Sequence, residues 1–99
     1  MRVMLKAKMP VESGNKAIKD GSLPKILASV FEQVKPEAVY FGAECGMRTA
    51  YVVFDMKDTS QIPSVAEPLF MALNASIEFI PVMNQDDLKK GLELAAKNR

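Results

Sequence analysis

The side chains best able to do chemistry in this sequence are Lys6, Glu78, Tyr51 and Thr49, with Phe41 as an apolar neighbour. Strand alternation places them on one side of a sheet, provided the segments that carry them are strands. A lysine and a glutamate on neighbouring strands admit two readings. They bind and polarise a small acidic or carbonyl substrate, or they form a cross-strand ion pair that only neutralises itself. A phenol and a hydroxyl beside Phe41 suit a ligand pocket with Tyr51 as hydrogen-bond donor, and they equally suit an interface core. Cys45 and Arg48 make a further pair. A thiol near a guanidinium can be activated, but a turn cysteine without a base or a resolving partner is more often incidental. Asp55, Asp58 and Glu67 fall on a strand end, a cap and a helix, and capping accounts for Asp58 without a magnesium ion. No metal site and no cofactor are expected.

Composition removes several classes of function. The chain has no histidine, so the commonest general base near neutral pH and the commonest metal ligand are missing. Cys45 is the single cysteine, which excludes an intrachain disulfide and a cysteine-based zinc site. Thirteen bases against twelve acids leave a net charge of +1, with no basic block to meet a phosphate backbone. The segment AYVVF at 50–54 mimics the tail of an RNA-recognition strand. Thr49 stands where an aromatic belongs, however, and Tyr51 and Phe54 alternate to opposite faces. Nucleic acid is therefore not an expected partner. The opening MRVMLKAKMP lacks an apolar signal core, and no span of ~20 apolar residues follows. A cytoplasmic protein with no membrane partner is the expectation.

The elements that must position these residues can be read in order. Arg2 to Met9 alternates with Val3, Leu5, Ala7 and Met9 on one side, which predicts a first strand. Val11 to Asp20 has helical spacing, and Gly21 interrupts it. Ser22 then offers an N-cap to a helix whose Leu23, Ile26, Leu27, Val30, Phe31 and Val34 form a buried stripe. Pro36 to Met56 reads as a β-hairpin around Glu44-Cys45-Gly46. A three-residue loop would pair Ala43 with Met47, Phe41 with Thr49 and Val39 with Tyr51, leaving Tyr40, Ala50, Val52, Phe54 and Met56 on the other face. A helix capped by Ser60 follows, with Pro68 inside it and Asn74 as its left-handed end. Ala75 to Met83 is a fourth strand. Asn84 onward starts a C-terminal helix with Leu88, Leu92 and Ala95 in a narrow apolar stripe.

The order β-α-β-β-α-β plus a terminal helix predicts one ferredoxin-like α+β domain over residues 1–99, with strands one and three central. One face of its antiparallel sheet is covered by helices. The other would hold Met4, Lys6, Val39, Phe41, Thr49, Tyr51, Val53, Glu78, Ile80 and Val82, a larger apolar surface than soluble monomers usually expose. Two copies packing sheet to sheet would hide it.

The segments AIKDGSLPK, KPEAVYFGAECGMRTAYVVFDMKD, SQIPSVAEPLF and LNASIEFIPVM resemble a group of short bacterial proteins of unknown function. More widely, nearly the whole chain resembles the dimeric α/β-barrel superfamily. That resemblance implies a homodimer joined through its sheet faces, with a cavity on each face. The ligand-binding candidates there are Lys6, Phe41, Thr49, Tyr51 and Glu78. Some members of the superfamily are small-molecule monooxygenases, isomerases or haem enzymes, which often place a histidine in the cavity. Two functions follow as expectations. One is a non-catalytic homodimer that binds a small molecule. The alternative is a cofactor-free enzyme acting on a small aromatic or carbonyl metabolite, with Lys6 as electrophile and Tyr51 as proton donor.

Overall fold

A computed structural model describes residues 1–98. Its elements are β1 (Arg2–Lys8), α1 (Val11–Lys19), α2 (Ser22–Val34), β2 (Ala38–Glu44), β3 (Met47–Asp55), α3 (Gln61–Leu73), β4 (Ser76–Pro81) and α4 (Gln85–Lys97). The four strands form one antiparallel sheet in the order β2-β3-β1-β4. This is an α+β fold consistent with the ferredoxin-like arrangement.

Period-2 alternation divides the sheet cleanly. Val3, Leu5 and Ala7 of β1 and Ala50, Val52 and Phe54 of β3 are buried on the face that α1, α2 and α3 cover. Ile77 and Phe79 of β4 pair with Ala7 and Leu5 on that same face. The helices supply Ala17, Val30, Val34, Val65, Leu69 and Leu73 to one continuous core. Phe54 is its largest fully buried side chain.

Local chemistry sets the joints. Gly21 sits at φ 77°, a conformation that glycine adopts without strain, and it separates α1 from α2. It, not Ser22, is the residue that caps α2; Ser22 donates its backbone N–H to Asp20 Oδ1. Ser60 likewise makes no side-chain capping bond to α3: Ile62 N–H already donates to the Thr59 carbonyl and Pro63 has no N–H to give. The α3 helix runs through Pro68 and ends at Asn74 in the left-handed region, as expected.

The hairpin differs from its expected form by one residue. Cys45 and Gly46 both have positive φ, 54° and 76°, so the loop has two residues with the backbone of a type I′ turn. Glu44 now pairs with Met47, Phe41 with Ala50, Val39 with Val52 and Tyr40 with Tyr51. A one-residue shift exchanges the faces of an entire strand. Val39 and Phe41 therefore point to the helix side, and Tyr40 and Glu44 to the open side. The ring of Phe41 lies 6.4 Å from that of Phe31 in α2.

The C-terminal α4 stands apart. Asn84 caps it through a full capping box with Asp87, yet none of its residues is buried and it makes no extensive contact with any other element. Extents of 55 × 27 × 18 Å and a radius of gyration of 15.8 Å exceed the ~13 Å of a compact chain of this length.

Candidate functional site

The open face of the sheet is built as four cross-strand rows. Next to α4, Asp55 and Arg2 pair, and Val82 donates its N–H to the Arg2 carbonyl. The second row runs Ala38, Val53, Met4, Ile80 from edge to edge and is wholly apolar and half-buried. The third runs Tyr40, Tyr51, Lys6, Glu78. The fourth runs Gly42, Thr49, Lys8, Ser76. One half of the face is therefore greasy, and the half towards the hairpin is polar.

Glu44 organises the polar half. From the end of the edge strand β2 its carboxylate reaches across β3 to β1. Oε2 lies 2.7 Å from Lys6 Nζ and 3.2 Å from Lys8 Nζ, and Oε1 accepts the Tyr51 hydroxyl at 2.8 Å. Thr49, between Lys8 and Gly42 in the row beneath this span, is only 1 % exposed and donates to the Met47 carbonyl. Gly42 matters here. A Cβ at that position would already be in van der Waals contact with the Tyr51 ring, so a larger side chain would crowd it.

The electrostatics follow from this geometry. Bonds from Lys6, Tyr51 and Lys8 hold the Glu44 carboxyl down at about 2. The same contact with Glu44 raises the Lys6 ammonium and the Tyr51 phenol above their ordinary values. Glu78 stands 3.8 Å from Lys6, with about half of its side chain in water. In chemical terms the cluster is two ammonium groups, two carboxylates and a phenol, with every strong donor directed at Glu44. It is self-neutralising.

Of the five expected site residues, the structure brings Lys6, Thr49, Tyr51 and Glu78 together on the open face. Phe41 is a correction. The two-residue turn moves it to the helix side, where it meets Phe31 and cannot line a cavity on the open face. Arg48 is turned away from Cys45 as well: its Nη2 donates to Asn15 Oδ1 at 3.0 Å, and its guanidinium lies against Gly14 of α1. The exposed Cys45 thiol accepts from Lys8 Nζ at 3.9 Å. Glu44, Lys8 and Tyr40 were missed by the sequence reading. The dipeptide Cys45-Gly46 was the available signal, since a two-residue turn ending in glycine puts Glu44 on the face of Tyr51.

A second charged knot joins the termini. Arg2 donates to Glu37 at 2.8 Å and to Asp87 of α4 at 2.5 Å, and Asp55 accepts from the N-terminal ammonium and from Lys57. Those bonds hold the Asp55 carboxyl at about 2. It is already engaged by two cations. No protein-family model matches this chain, and no curated protein matches its sequence. Among the described residues, no helix is long and apolar enough to cross a membrane.

Proposed function

We propose that this protein is a non-catalytic homodimer of the dimeric α/β-barrel kind, in which the open sheet faces of two copies meet and enclose a small-molecule site. The observation that carries this reading is the Ala38–Val53–Met4–Ile80 row, an apolar band across all four strands with no helix over it. Apolar area of this kind favours association. The net charge of +1 sets up little repulsion between copies.

The polar half of the face supports binding better than catalysis. A carboxylate held at about 2 is too weak a base to take a proton near neutral pH. Tyr51 already gives its hydroxyl hydrogen to Glu44, and losing that proton would set a phenolate against a carboxylate. The enzymatic alternative, with Lys6 as electrophile and Tyr51 as acid, therefore has less support. A ligand carrying a carboxylate or a carbonyl would bind by taking a share of Lys6 and Lys8 from Glu44.

The test joins native mass spectrometry to one substitution. The wild-type protein is expected to fly as a dimer, with a small adduct retained on that species. Val53→Lys, which puts an ammonium into the apolar row, is expected to give a folded monomer without the adduct. A Val53→Lys protein that stays fully dimeric would overturn the interface. A dimer that retains no adduct and binds no simple carboxylate, such as acetate or benzoate, would overturn the ligand site.

A further inference from the structure

We infer that α4 is an exchanged arm, which packs its apolar stripe on the second copy of this chain; the inference rests on the sheet-face dimer proposed above and assigns it a second contact. Leu88, Leu92 and Ala96 share one side of the helix at i, i+4, i+8 spacing, an apolar stripe flanked by Gln85, Lys89 and Glu93. Leu88 and Leu92 are 47 % and 61 % exposed, and no other element of the chain makes extensive contact with the helix. A 13-residue helix with Gly91 at its middle is marginal in water when nothing packs on it, because helices of this length draw their stability from a buried face. The capping box fixes where α4 starts but supplies no such face.

Three observations name a second copy as the cover. First, the accessible surface is 6635 Å², roughly 1,000 Å² above the ~5,600 Å² of a compact monomer of this mass. That excess matches one partner's share of a standard interface, about 800 Å². Second, α4 leaves the body beside the uncovered apolar row. Asp87 in its first turn is bonded to Arg2, and Arg2 precedes Met4 of that row by two residues on the same face. Third, a two-fold axis through the facing sheets sets the start of each α4, beside the apolar row, against the rim of the other copy, so one symmetry operator accounts for both contacts.

Cross-linking of a dimer assembled from equal parts of 14N- and 15N-labelled protein tests this. Lys89, Lys90 and Lys97 of α4 are expected to form mixed-isotope cross-links to the body of the other copy. The substitution pair Leu88→Lys with Leu92→Lys is expected to weaken dimerisation at least tenfold while leaving the body folded, because neither side chain belongs to the core. A stable dimer whose α4 cross-links are all within one copy, and whose affinity the pair leaves unchanged, would overturn the arm while the sheet-face dimer stands. A wild-type monomer would overturn both.

Discussion

Glu44 is the residue on which the polar half of the open face depends. Its carboxyl sits at about 2 in the fold, against an ordinary 4.5. A depressed carboxylate contributes stability that is full above the ordinary value and is lost as pH falls towards the lowered one. Melting temperature should therefore decline as pH drops from 5 towards about 2, and Asp55, lowered to about the same value, adds to that decline. Glu44→Gln is expected to flatten part of this dependence and to lower the plateau above pH 5, as read by thermal melts across that range. An unchanged pH profile would remove the cluster's stabilising role. Cys45 makes a separate case. It holds φ 54°, where most L-residues pay about 1–2 kcal/mol and asparagine pays least. Cys45→Asn is expected to stabilise the hairpin by ~0.5–1 kcal/mol in denaturant melts.

The elements fold on patterns that were largely visible in the chain. The alternation of Val3, Leu5 and Ala7, and the i, i+3, i+4 stripe from Leu23 to Val34, each report a single committed face, so strand and helix were legible with their inward sides. The expected break at Gly21 and the left-handed end at Asn74 are also present. The hairpin register was not legible. Both candidate registers bury apolar side chains, since Val39 and Phe41 on one face and Tyr40 on the other are all acceptable partners for β3. Hydrophobic pattern alone could not choose between them; the backbone of Cys45-Gly46 did. That choice moved Phe41 out of the candidate site and Glu44 into it. At the centre of this layer, Phe54→Ala is expected to cost about 3–5 kcal/mol, because the ring is fully buried between the sheet and the helices. Equilibrium denaturation measures it, and a loss below about 1 kcal/mol would contradict the packing described for β3.

At the scale of the whole molecule, one chain leaves two surfaces unfinished. The helix-covered face closes into a core without buried unsatisfied side-chain polar atoms among the described residues. The other face keeps its apolar row, and α4 extends into solvent. Elongation and excess surface fit the proposed dimer, in which part of the cover belongs to another copy. The measurement that tests this most directly is the solution mass by light scattering on a sizing column, taken across a hundredfold range of concentration. A mass near twice 10.9 kDa that persists on dilution to about micromolar is the expected result. A mass of one chain throughout the series would contradict the account.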